Sequence, residues 1–199
     1  TETALLVGLA FLADDLYGVA IFWLASFVPG LRRREQRNIS RRPLFLLAAV
    51  SSIPVVAALG LHAWGGAPAW SYGLAVGGAA LRMGVPPASP LLLAGYDRLP
   101  LGRAAFVAAV RPSVALLLVL RSVYPEPLHT LAVPLQWWAA LAAVLAALQG
   151  VSQRDPQRGI GAMAATQAAI ILFGLVAPGG VGPLGALVQW VGLGVSLVG

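Results

Sequence analysis

Two arginines raise the chemical question in this chain. Arg82 stands in the run Leu-Arg-Met-Gly-Val-Pro-Pro (81–87), and Arg111 opens Arg-Pro-Ser-Val-Ala-Leu-Leu-Leu-Val-Leu-Arg (111–121). Both lie inside or against apolar runs of membrane length, and a guanidinium keeps its charge wherever it is placed. Pro112 lacks an N–H and so frees a backbone carbonyl one turn earlier, which would break an apolar helix beside a buried cation. A charge next to a broken helix at membrane depth is the construction of an ion path. The alternative is that both side chains sit near helix ends and reach the interface. Gln167, inside another apolar run, can hydrogen-bond or orient water but cannot carry charge. Arg82, Arg111 and Gln167 are therefore the ion-path candidates.

Other chemistry is poorly provided for. The chain has no cysteine, which excludes disulfides, Fe–S ligation and thiolate metal sites. His62 and His129 have no second histidine at helical spacing, so no metal site and no cofactor is expected. Nominally these histidines could join Asp14 or Asp15 in a hydrolase triad, but interfacial polar residues are the better reading and no catalytic residue is assigned. Gly179-Gly180-Val181-Gly182 lacks the Lys-Ser/Thr of a phosphate loop.

The elements that must position these residues are membrane helices. Of 199 residues, 59% are hydrophobic and 10% charged, and the mean hydropathy is +0.83; a soluble domain carries about 25% charged residues. The apolar runs are continuous rather than alternating, which indicates helices and not a barrel. All thirteen basic residues are arginine, and they cluster in short loops, so the net charge of +6 reports topology and not nucleic-acid binding.

Taken in order, residues 4–13 form a short apolar stretch of about 15 Å as a helix, ended by Asp14-Asp15, which can cap a helix from Leu16 to about Leu31. Six arginines follow between 32 and 42, a strong positive-inside signal. A span over Leu44–Trp64 ends in an aromatic turn with His62, Trp64, Trp70 and Tyr72. The next span, about Ser71–Val85, reaches Arg82 and stops at Pro86-Pro87; residues 88–103 read as a basic inner connection. An interrupted helix then covers Leu101–Leu120. Further spans follow from His129 or Thr130 to Leu148, with Trp137 and Trp138 inside, from Ile160 to Val176, and from Leu184 to Val198. The arginine-rich loops all fall on one side. The expectation is a single all-α polytopic transmembrane bundle over residues 1–199, with about six spans and both ends cut within helices. Spacings such as Gly73 with Gly77, and Gly78 with Arg82 beyond it, suit close helix packing.

Three stretches resemble the antiporter-like membrane subunits of respiratory complex I, the Mrp-type cation antiporters and the membrane-bound hydrogenases. Ala13-Asp14-Asp15-Leu16 through Ile21-Phe22-Trp23-Leu24 is similar to that family's entry to a helix reading Phe-Trp-Glu. Arg82-Met-Gly-Val-Pro-Pro resembles its Lys-x-Gly-x-x-Pro, and Arg111 to Arg121 its lysine-to-arginine broken helix. Gln153-Arg154-Asp155-Pro156-Gln157-Arg158 resembles Gln-x-Asp-x-Lys-Arg, with Ala165-Thr166-Gln167 where the family has a Ser-rich turn and then His, Lys or Gln. The resemblance covers about one of the family's two inverted repeats, with Asp15, Trp23, Leu24, Gln153, Asp155 and Arg158 as its motif residues.

The resemblance implies a multi-pass protein of the inner (cytoplasmic) membrane, a non-redox subunit of an NADH–quinone oxidoreductase-like translocase. Its partners would be the lipid bilayer and neighbouring membrane subunits. The departures imply a degenerate and mainly structural module, since Leu24 stands where the family has its membrane glutamate, and Arg82 and Arg111 where it has titratable lysines. The alternative functions are a free-standing or Mrp-type proton/cation antiporter subunit and a pure assembly protein; copurifying subunits discriminate among them.

Overall fold

The computed structural model describes residues 42–97, 99–110, 115–116, 118–120, 129–177 and 181–198. Among them the structure is helical throughout. The elements are α1 (Arg42–Ala63), α2 (Pro68–Met83), α3 (Ser89–Tyr96), α4 (Leu101–Val110), α5 (His129–Val151), α6 (Pro156–Val176) and α7 (Val181–Val198). Proline stands in the first turn of α2, α3 and α6, where its missing N–H costs nothing.

Among the described residues three helices are long and apolar enough to cross a bilayer, at Pro43–Ala63, Thr130–Val151 and Pro156–Val176, and Val181–Val195 is a shorter apolar helix. These are the features of a multi-pass membrane protein. The side chains support the assignment. Along α5, Val133, Trp137, Leu141, Val144, Leu148 and Val151 form one exposed stripe, and α7 exposes Leu184, Val188, Val191 and Val195. Water would not tolerate such continuous faces on a soluble protein.

The buried face that α5 turns to α6 is rich in small residues. Ala139, Ala142 and Ala146 of α5 meet Ala162, Ala165 and Ala169 of α6, all buried, so the two backbones approach closely. Helix α6 is the hub, packing against α5, α7, α3, α4 and α2, while α1 covers α2 and α3. Two apolar clusters stack along it. One holds Leu47, Leu92, Tyr96, Ala108, Ala146 and Ala165; the other, further along α6, holds Val55, Val76, Leu118, Ile171, Leu172 and Leu175.

Several expectations change here. Residues 88–97 are not a surface connection: Ser89–Tyr96 is helix α3, and its Leu92 and Tyr96 are almost wholly buried. Eight residues are too few to register as a span, yet enough to fill the space between α1 and α6. The predicted break at Arg111 and Pro112 falls outside the described residues, as do Asp15, Trp23 and Leu24; α4 ends at Val110 and residues 115–116 and 118–120 are helical. Gly78 is set tightly against α1, because a Cβ there would lie 2.8 Å from the Ser51 carbonyl oxygen, as Gly182 of α7 is against the Gly174 carbonyl of α6. Gly77 meets nothing, so the Gly73–Gly77 spacing is not a packing motif at its second member.

Candidate functional site at the interruption between α2 and α3

Arg82 occupies the last turn of α2 and is half-buried. One turn earlier Gly78 abuts Ser51 and Val55 in the middle of α1, which sets Arg82 well inside the bundle rather than at its end. The helix stops two residues later because Gly84 takes a left-handed conformation, φ 89°, open to glycine without the Cβ penalty. Its N–H donates to the Leu81 carbonyl at 3.0 Å, and the Val85 N–H donates to Ala80 at 3.0 Å. That pair of bonds satisfies two of the orphan carbonyls of the helix end.

Five residues, Gly84 to Ala88, separate α2 from α3, and all of them but Pro87 are buried. Pro86 and Pro87 contribute no N–H at all, and their shared peptide is cis. The Ala88 N–H closes a turn on the Val85 carbonyl at 3.0 Å, and the Leu91 and Leu92 N–H groups reach the Ala88 carbonyl at 3.2 and 3.3 Å. The Pro86 carbonyl receives the indole N–H of Trp138 at 3.0 Å. Trp138 lies about 13 Å along α5 from its start, near the helix midpoint, so its indole ties α5 to the segment between α2 and α3. On the α3 side, the buried Ser89 hydroxyl donates to Gln149 Oε1 at 2.7 Å. The interruption also divides the core: Val85 belongs to the cluster with Leu172, and Ala88 to the cluster with Leu92.

A second polar group closes the end of the bundle where α3 finishes and α6 begins. Arg158 donates to Asp97 at 2.8 Å and stands 3.9 Å from Asp155. Asp155 precedes Pro156 at the N-terminus of α6, and Gln153 Nε2 donates to the Gln149 carbonyl at 3.0 Å. Arg42, Asp97 and Arg154 lie toward this same end, since Gly95 backs onto Leu44 of α1 and Gly150 onto Ala162 of α6. Elsewhere, Gln167 of α6 accepts a hydrogen bond from Gln189 Nε2 of α7.

The structure thus gathers Gln153, Asp155 and Arg158 at the basic end and places Arg82 beside the α2–α3 connection, with Gln167 on a different flank of α6. Sequence reasoning missed the partners. Asp97 was legible as a charge but not as the counter-ion of Arg158, 61 residues away. Trp138 looked like an ordinary membrane tryptophan, and Ser89 and Gln149 carried no signal beyond being polar within apolar runs. Among the described residues no three His, Cys, Asp or Glu side chains gather into a metal site. What the segment between α2 and α3 offers instead is a guanidinium and irregular backbone carbonyls among buried apolar side chains, a setting able to orient water or hold an ion. Comparison with family models, with characterised proteins and with solved structures finds no match to this chain.

Proposed function

We propose that the chain is an antiporter-like membrane-arm subunit of a redox-driven proton-translocating complex of the NADH–quinone oxidoreductase kind, and that its role there is mainly structural. The support for the first half is the motif resemblance together with an arginine beside interrupted backbone inside a helical bundle. The polytopic bundle, its broken helices and its place in the inner membrane, with residues 32–42 on the cytoplasmic face, belong to this reading.

The observation that carries the second half is the acid inventory. None of the seven described helices contains an Asp or Glu; Asp97 and Asp155 stand just outside them, at one end. Proton relay through a membrane needs groups that gain and lose protons at depth, and arginine does not. The polar groups that are present instead bind helix to helix: Trp138 to the break, Ser89 to Gln149, Arg158 to Asp97. Each is the work of a scaffold.

Purification of the tagged chain from its native membranes tests the reading. Recovery with Fe–S and quinone-site subunits is expected; recovery with cation-antiporter subunits alone would place it in the Mrp-type class, and recovery alone would overturn the proposal. In the assembled complex, Arg111→Ala and Arg82→Ala should lower the amount of complex, with proton translocation falling only in proportion. An intact complex that moves markedly fewer protons per electron would show that this subunit pumps. For topology, a single cysteine at position 66, and not at position 38, should react with an impermeant reagent from outside.

A further inference from the structure

The turn between α5 and α6 carries an unmatched cation. Two acids lie at this end of the bundle, and both are turned to one arginine: Arg158 donates to Asp97 Oδ2 at 2.8 Å, and its Nε stands 3.9 Å from Asp155. Arg154 is exposed, and with the described residues it makes neither a hydrogen bond nor an ion pair. Its place is set by the turn. The Ser152 hydroxyl and Gln153 Nε2 both donate to the Gln149 carbonyl, at 2.8 and 3.0 Å, and the Gln153 N–H donates to the Gly150 carbonyl at 3.2 Å. These bonds close the C-terminal end of α5, so the chain reverses between Val151 and Pro156 and presents Arg154 outward.

Hydrocarbon-facing surface leads directly to this cation. The exposed stripe of α5 continues through Val144 and Leu148 to Val151, the last residue of the helix and 88% exposed. The span Thr130–Val151 has 22 residues, about 33 Å, close to the ~30 Å of a bilayer's hydrocarbon. Arg154, just past its end, therefore stands at the level of the headgroup phosphates. Charge at this end is strongly one-sided. The chain leading into α1 carries six arginines between 32 and 42 against the single Glu35, whereas the connection at the far end of α1, residues 63–68, has no charged residue.

We propose that the α5–α6 turn binds an anionic phospholipid, with its phosphodiester on the Arg154 guanidinium and an acyl chain along Val144, Leu148 and Val151. The planar guanidinium can meet two phosphate oxygens at once, and the basic end favours an anionic headgroup over a zwitterionic one. A soluble anion would match the charge and leave the stripe bare. The inference needs only the bilayer setting of α5 and stands independently of the respiratory assignment.

The test places the whole chain in nanodiscs of phosphatidylcholine, with or without phosphatidylglycerol, and reads both the lipid retained in native mass spectrometry and the melting temperature. The wild type should retain phosphatidylglycerol in preference to phosphatidylcholine and melt higher when it is present. Arg154→Gln should lower that retention about fivefold, the effect of removing one guanidinium from an anionic surface, while Arg154→Lys keeps most of it. In phosphatidylcholine alone, Arg154→Gln should melt with the wild type; an equal loss of stability in both lipids would mean a structural role and overturn the proposal. Equal retention of the two lipids by the wild type would also overturn it. So would stabilisation by inorganic phosphate as large as that by phosphatidylglycerol, or a preference that survives Arg154→Gln and disappears only when the arginines between 32 and 41 are replaced.

Discussion

Helices α2 and α3 and helix α6 run through the same interior, and they solve its central problem in opposite ways. Helix α6 is unbroken for 21 residues and satisfies its backbone internally, so its neighbours need supply only small, apolar contact. The α2–α3 path is severed between Met83 and Ser89, and each freed group there must be bonded, removed by proline or reached by a side chain from another helix. Continuity asks of a sequence only composition. Interruption asks for named partners, and it is therefore the interruption that makes particular residues indispensable.

The difference can be broken experimentally, and thermal unfolding of the purified protein in lipid nanodiscs reads each case. Gly84→Val should have the largest effect, about 3 kcal/mol or more, because a β-branched residue is forced into the left-handed region and its Cβ collides with buried Leu92. Gly77→Val, in the unbroken part of α2 where a Cβ meets nothing, should stay within about 0.5 kcal/mol. Trp138→Phe keeps most of the ring volume but orphans the Pro86 carbonyl, and should cost about 1–3 kcal/mol; a neutral result would mean that the indole does not hold the break. Ser89→Ala removes a neutral hydrogen bond to Gln149 and should cost about 1 kcal/mol. Smallest of all is Asp97→Asn. Its ion pair with Arg158 is partly exposed, so any loss of melting temperature should be slight and should vanish at high salt.

How far the sequence revealed these two solutions follows from the same contrast. The helical character and the positions of the three long apolar helices were legible, because hydropathy acts locally, while the stop expected at Pro86-Pro87 comes slightly earlier, at Gly84. Helix boundaries shifted by only a few residues, as with Ser71–Val85 against Pro68–Met83. Helix α3 was misread as a connection because span length was the criterion, although Ser89-Pro90 ahead of three leucines is an ordinary helix start. Neither Trp138 nor Gln149 could be assigned, since each acts on a segment 52 or 60 residues distant and nothing in local pattern encodes such pairing. Gln167 was visible as a polar residue in an apolar run; its partner Gln189 is of the same kind but sits in a helix that matched no motif.

The alanine-lined interior has a thermodynamic side of its own. Alanine has no rotamers to freeze, whereas an aliphatic side chain fixed in a packed core gives up roughly 0.5–1 kcal/mol of conformational entropy. Here the residues rich in rotamers, such as Leu141, Leu145 and Leu148, point outward into fluid lipid where they go on exchanging conformations. Where the buried alanines of α5 face α6, packing therefore orders few side chains, and relaxation measurements should find more motion in the outer methyl groups than in the buried Ile171, Leu172 and Leu175 of α6.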